Sequence, residues 1–267
     1  MQRSATDGHS EETPVAVTTC VVVPCYNEAA RLPVDRFAGF LAAHSDTALL
    51  FVNDGSTDPT RDRLEAIRRA APARAQLIDL PRNAGKGEAV RRGMLDAFGR
   101  SPTYVGFWDA DLSTPLETIP EFVALLAERP DLEWVTGARV QLLGRDIRRS
   151  PLRHYLGRIF ATAVSVSLDL AVYDTQCGAK LFRATPSFRA LLEEPFLSRW
   201  IFDVELYARL IRQRRHDGGP APEQVVYEYP LPHWEDVRGS KVGPADFLRA
   251  MIELARIRRR YRYIPPA

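Results

Sequence analysis

The chain has 267 residues, 45% of them hydrophobic and 26% charged, with a formal net charge of +2. These values suit a soluble globular protein with one sizeable domain or two small ones, and they exclude a disordered chain and a general attraction to nucleic acid. Three cysteines, Cys20, Cys25 and Cys177, form no CxxC pair and no metal spacing, which argues against a disulfide framework or zinc module and for a reducing, cytoplasmic setting.

Residues 1–14 are polar and acidic, lack the apolar core of a secretory signal, and are expected to be a disordered lead. Thr18–Val23 is a β-branched run that reads as a buried strand ended by Pro24. Leu49–Val52, Gln76–Leu80, Tyr104–Phe107 and Leu132–Thr136 supply four more runs. Helical segments lie between them, at roughly 33–44, 58–70, 86–99 and 116–128; in the third, Val90, Met94, Ala97 and Phe98 share a face. Strands alternating with helices predict an α/β fold with a mostly parallel, doubly wound sheet, in which ligands bind beyond the carboxyl ends of the strands.

The second half is less regular. A helix over about 151–170 precedes the loop YDTQCGAKLFRA, and further helices are expected near 186–194 and over 199–213. VVYEYP (225–230) reads as a strand and 244–262 as a basic closing helix. The most membrane-like stretch, 159–168, falls well short of the roughly 18–20 apolar residues of a spanning helix.

Polar residues follow four strand ends, at Pro24-Cys25-Tyr26-Asn27-Glu28, Asn53-Asp54-Gly55-Ser56, Pro81-Arg82-Asn83 and Asp109-Ala110-Asp111. In an extended or turning segment residues i and i+2 can face one side, so Asp109 and Asp111 could approach one hard cation, Mg²⁺ or Mn²⁺, and leave coordination sites for a diphosphate. The plainer reading is a turn followed by a helix start at Ser113-Thr114-Pro115. NAGKGEAV fails the P-loop pattern, although Gly85, Lys86 and Gly87 still place a cation and free N–H groups near a helix start. No dinucleotide-binding glycine pattern, serine-hydrolase elbow or His-Glu-x-x-His is present.

VVVPCYNEAARLP, FVNDGSTDPT, NAGKGEAVRRGM, WDADLSTPLETI, DTQCGAKLF and RWIFDVEL together resemble the family 2 inverting glycosyltransferases of GT-A fold, with the nearest likeness to the dolichyl-phosphate β-glucosyltransferase and polyprenyl-phosphate sugar transferase branch. The motifs stand in family order over about 18–245. The resemblance implies a Rossmann-like single domain at 15–245, with 246–267 as a basic amphipathic helix and tail. It implies a divalent metal, a nucleotide sugar such as UDP-glucose, and a polyprenyl or dolichyl phosphate acceptor.

Carried over motif by motif, Pro24, Tyr26, Asn27 and Glu28 resemble the first nucleotide-contacting loop. Asp54 would meet the base or ribose, with Gly55 and Ser56 shaping the turn, and Arg82, Asn83, Gly85 and Lys86 would help close the nucleotide site. Asp109, Ala110 and Asp111 match the metal and nucleotide-sugar motif, with Asp111 as a ligand. Gln176, Cys177, Gly178 and Lys180 resemble the sugar and acceptor loop, flanked by Arg199 and Trp200, and Asp203 stands at the catalytic-base position. Ser240 and Lys241 resemble a loop that closes over the diphosphate.

Plainer readings stand beside these: Trp200, Phe202 and Leu206 as helix core, Asp203 and Glu205 as a solvated face. The arginines 139, 145, 148, 149 and 153 suit a phosphate-bearing acceptor, because guanidinium pairs phosphate bidentately, or form a solvated basic loop. In the closing helix Phe247, Leu248, Met251, Ile252 and Ala255 form an apolar face before Arg256, Arg258, Arg259, Arg260 and Arg262, a pattern that could dock peripherally on an anionic membrane surface; the expectation is that the apolar face packs on the domain and only the arginine tail touches lipid. Two alternatives remain open at this stage: sugar transfer to a soluble hydroxyl compound, and a nucleotidyltransferase or nucleotide-binding module.

Overall fold

The computed structural model describes residues 18–148, 151–236 and 244–262; the expected disordered lead, Arg149, Ser240 and Lys241 lie outside them. The first part runs β1 (Thr19–Cys25), α1 (Val34–Ala43), β2 (Thr47–Asn53), α2 (Thr60–Ala70), β3 (Ala75–Asp79), α3 (Lys86–Phe98), β4 (Tyr104–Trp108), α4 (Thr118–Glu128) and β5 (Trp134–Ala138). It continues through β6 (Asp146–Arg148), α5 (Pro151–Leu168), β7 (Ala179–Arg183), α6 (Pro186–Ala190), α7 (Phe202–Asp217), α8 (Pro222–Val225), β8 (Val226–Pro230), β9 (His233–Glu235) and α9 (Pro244–Tyr261).

A seven-stranded sheet has the order β3-β2-β1-β4-β7-β5-β8, with β7 antiparallel to both neighbours and the other pairs parallel. β6 and β9 form a separate parallel pair. Alternation along β1 shows how the sheet separates two cores. Cys20 and Val22 pack with Val90 and Met94 of α3, whereas Val21, Val23 and Cys25 pack with Phe37 and Leu41 of α1. Full burial of each such side chain is worth about 1.5–3 kcal/mol.

Besides the short β6 and β9, for which the sequence predicts no run, two strands depart from the sequence expectation. β1 runs through Pro24 to Cys25. The Cys25 carbonyl accepts from Asp54 N at 2.8 Å, so Pro24 faces the other way, toward β4, whose pairing with β1 ends at Val22. The missing proline N–H therefore costs no ladder bond there. The second departure is β7, expected as loop, which fills the gap between β4 and β5. Gly106 of β4 permits that approach, since a Cβ there would lie 2.2 Å from the Lys180 carbonyl oxygen.

Strand order reverses between β1 and β4, because β2 and β3 extend to one side and β7 and β5 to the other. The carboxyl ends of β1 and β4 thus flank the crevice where open α/β sheets bind ligands.

Candidate functional site

Four turns meet at that crevice. The β1 and β2 turns are stitched together: Asn27, held at φ 52°, donates its N–H to Ser56 Oγ at 3.0 Å, and its Oδ1 accepts from Thr57 N at 2.8 Å. Tyr26 is exposed beside it, while Glu28 is buried and donates its N–H to Thr60 Oγ1 at 2.7 Å. Arg31 donates Nη2 to Glu28 Oε1 at 2.6 Å and also pairs through Nε.

Asp54 is buried, and its carboxylate is largely engaged within the protein. It accepts from Ala84 N at 2.7 Å, Gly85 N at 2.9 Å and Asn83 Nδ2 at 3.0 Å. Burial raises its pKa against the opposing pull of those backbone bonds. Asp54 thus clamps the turn after β3 onto the turn after β2. Gly55, at φ 64°, is required by the contact, because a Cβ there would lie 2.4 Å from the Arg82 carbonyl carbon. Arg82 itself is exposed.

The clamp places Lys86 at the start of α3, where Nζ meets Asp109 Oδ1 at 2.5 Å. Burial opposes the Lys86 charge, but Asp109, Asp203 and Asp111 more than compensate and raise its pKa. Asp109 emerges from β4 with its N–H bonded to the Gly178 carbonyl at 2.9 Å. Its carboxylate occupies the space over Gly178, where a Cβ would lie 1.9 Å from Oδ2. Ala110 is buried between the acids. Asp111 combines both sequence readings: Oδ1 accepts from Ser113 N at 3.1 Å and Ser113 Oγ at 3.0 Å, while Oδ2 lies 3.5 Å from Arg31 Nη1.

Both acids remain partly exposed, with side-chain exposures of 36% and 20%. Among the described residues no group of three or more His, Cys, Asp or Glu side chains could hold a metal. Two hard carboxylates without further protein ligands fit Mg²⁺ or Mn²⁺ shared with a diphosphate and water, rather than an all-protein cage.

Behind this surface lies a buried charged layer. Lys180 is 0% exposed on β7 and donates to Thr175 O at 3.0 Å and Cys177 O at 2.5 Å. Its Nζ also stands 2.9 Å from Asp203 Oδ1, an ion pair without the alignment of a hydrogen bond. Asp203 sits in the first turn of α7, is 3% exposed, and has its pKa raised by burial, with Lys180 and Lys86 pulling the other way. Neither it nor the fully buried Glu205 lies on a solvated face. Phe202 and Leu206 are core, as expected, whereas Trp200 is 36% exposed. Cys177 is fully buried and its thiol is pushed up to about 11 by burial, so it is no nucleophile.

The expected acceptor arginines separate. Arg139 is committed to Asp174, through Nε at 2.6 Å and Nη2 at 2.7 Å, and stacks over Trp234. Arg145 and Arg148 are exposed, and Arg148 bonds Asp146. Arg199 is brought to the site: Nη2 reaches Asn83 O at 3.1 Å, and its carbonyl accepts from Gly87 N at 2.9 Å. Gln176 Nε2 is buried with no partner among the described residues.

Sequence reasoning missed three positioning groups, Arg31, Asp174 and Glu228. Glu228 accepts from Tyr173 N at 2.8 Å and Asp174 N at 2.7 Å, which fixes the loop leading to Gln176. Arg31 carried a local signal, standing three residues after Glu28; the other two act across 35 and 54 positions, out of reach of local pattern.

Residues 20–187 match the model of the family described as Glycosyl transferase family 2. The dolichyl-phosphate beta-glucosyltransferase of Dictyostelium discoideum is 32% identical over 255 residues, covering 90% of this chain and 74% of that one. The enzyme of the same name from Drosophila melanogaster is 33% identical over 250 residues, covering 88% and 72%. Among solved structures, M. tuberculosis glucosyl-3-phosphoglycerate synthase aligns with a TM-score of 0.64 at 20% identity, covering 94% of this chain and 82% of that one, a likeness of fold. The mostly parallel sheet, the polar turns around its crevice and these matches agree: the chain belongs to glycosyltransferase family 2 and is a glycosyltransferase of GT-A fold.

Proposed function

We propose that the chain transfers a hexose, glucose from UDP-glucose, with inversion to the phosphate of a polyprenyl or dolichyl phosphate. The observation that carries this reading is the convergence of Lys86, Asp109, Asp111 and Arg31 at the β1/β4 crevice, over the buried Lys180–Asp203 pair. Relatives that match most of the chain carry the name dolichyl-phosphate beta-glucosyltransferase. The family favours glycosyl transfer over the nucleotidyltransferase alternative.

In this reading Asp109 and Asp111 would hold a divalent cation, whose charge would offset that of the leaving diphosphate. The stitched turns of Asn27, Ser56 and Asp54 form the floor of the nucleotide site, with Tyr26 and Arg82 exposed at its edge. Lys86 and Arg31 supply fixed positive charge beside the two acids, already oriented by ion pairs before a donor arrives. A phosphate acceptor brings an anionic oxygen, so Asp203 need not take a proton; its charge orients Lys180 and supports Lys86. Gln176 Nε2, without a partner among the described residues, offers a donor to sugar or acceptor oxygens. A hydroxyl acceptor would instead need Asp203 as general base. The basic closing helix suits an enzyme working beside an anionic membrane surface.

The direct test supplies UDP-glucose, Mg²⁺ or Mn²⁺, and either dolichyl phosphate or 3-phosphoglycerate, and follows UDP release and product mass. Expected is a glucosylated lipid phosphate, with Asp111→Ala losing transfer by about 10²-fold or more. Product only from the soluble acceptor would overturn the lipid assignment, and undiminished transfer by Asp111→Ala the metal assignment.

A further inference from the structure

α5 and α9 lie side by side, and each carries two apolar stripes. One faces the core: Phe160, Val164 and Leu168 from α5, with Ala250, Leu254 and Ile257 from α9. The other is open. On α5 Tyr155, Ile159 and Val166 are 68%, 58% and 71% exposed, and on α9 Leu248 and Ile252 are 65% and 49% exposed. Between the helices runs a groove of about 660 Å³, lined by Ile159, Ala163, Val166, Met251 and Ala255, with Arg158 and Arg258 among its walls. The sequence reading packed the apolar face of α9 on the domain and left lipid to the tail; the second stripe contradicts that division.

We propose that the α5–α9 face docks on an anionic lipid bilayer, with the open stripes in the acyl boundary and the arginines on the headgroups; the inference rests on the lipid-phosphate reading of the catalytic site. Among the described residues no helix is long and apolar enough to cross a membrane, so these two would lie in the interface plane. Charge selects the occupant. Arg256, Arg258, Arg259, Arg260 and Arg262 are all exposed at the end of α9, which matches an anionic surface. A second copy seated face to face would bring like arginine clusters together.

Both helices also touch loops of the site. The Arg158 guanidinium lies 3.9 Å from the Tyr173 ring centroid, next to the Asp174 that holds Arg139. Glu253 of α9 accepts from Ser198 Oγ at 2.6 Å, one residue before the Arg199 that reaches Asn83. Docking this face would therefore bring the bilayer beside the loops that adjoin the crevice, where a membrane-borne phosphate has to enter.

The test is co-sedimentation of the full chain with vesicles of phosphatidylcholine alone or mixed with phosphatidylglycerol, at low and high salt. Binding is expected only with the anionic lipid, weakened by salt, and lowered at least about tenfold in Ile159→Glu/Ile252→Glu. Arg258→Glu/Arg259→Glu should weaken it and remove most of the salt dependence. An unchanged melting temperature and UDP-induced thermal shift establish that the variants fold; if the glutamates unfold the protein, Ile159→Ser/Ile252→Ser replaces them. Wild-type protein that ignores anionic vesicles, or apolar-face variants that bind like wild type, would overturn the proposal. So would a solution dimer that the same variants dissociate, which would assign the face to a second copy. Vesicle binding without lipid glucosylation would sink the acceptor reading and leave the docking face standing.

Discussion

At the scale of single residues, Lys180 has the most to lose by substitution. Its ammonium is fully buried and meets two carbonyls and the Asp203 carboxylate. Lys180→Met would strand a buried carboxylate, and removing one partner of such a pair costs about 3–5 kcal/mol. Lys180→Met/Asp203→Asn, which removes the stranded charge, should recover part of that loss. Linkage fixes the pH trend. Burial already raises the Asp203 pKa above its ordinary 3.8 and Lys180 lowers it, so losing Lys180 raises it further. The folded variant then binds a proton more readily than the unfolded chain, and its deficit narrows as pH falls from neutrality. Urea unfolding at several pH values measures this; a single variant as stable as wild type would remove Lys180 from the account. The sequence displayed this residue only as a charge within DTQCGAKLF, where the family resemblance placed it in the sugar and acceptor loop. Burial was illegible because β7 is five residues long and carries a charge at both its second and its last position, Lys180 and Arg183.

At the scale of elements, the seating of α3 on the sheet governs where Lys86 points. Gly93 faces β1 and β2 so closely that a Cβ would lie 2.5 Å from Val22 Cγ1 and 2.9 Å from Val52 Cγ2. Both valines are fully buried and stiff at χ1, so neither can yield easily. Gly39 of α1 has nothing within 4 Å of its Cβ position. Gly93→Ala should therefore lose about 1–3 kcal/mol to overpacking, less a helix-propensity gain of about 1 kcal/mol. Gly39→Ala should keep that gain alone. Opposite shifts in urea midpoint are the expected outcome, and equal shifts would refute the packing argument. The amphipathic face of α3 was legible, since Val90, Met94 and Ala97 are all buried as their spacing implied. Legibility faded after β5, where order depends on partners far along the chain: β6 and β9 have three residues each, and β7 pairs antiparallel inside an otherwise parallel sheet.

At the scale of the whole molecule, the crevice was legible because parallel strands deliver their following turns to one edge, whatever each turn contains. What the sequence left open is how those turns hold one another: Asp54 clamps residues 83–85, and Arg199 meets the same segment from the far side of the chain. Donor binding should therefore stabilise the protein as a unit. A ligand at about one hundred times its Kd adds about 2.7 kcal/mol, and a chain of this size gains about 2–4 °C per kcal/mol, so saturating UDP-glucose should raise Tm by about 5–10 °C. Mn²⁺ should enlarge the shift because Asp109 and Asp111 are partly exposed carboxylates without a third ligand among the described residues. In Asp111→Ala the metal-dependent increment should vanish while a smaller nucleotide shift persists, since the turns at Asn27, Ser56 and Asp54 are untouched. Identical shifts with Mn²⁺ and with chelator in the wild type would place the metal elsewhere or nowhere, and loss of every shift in Asp111→Ala would make that residue part of the nucleotide floor rather than of the cation site.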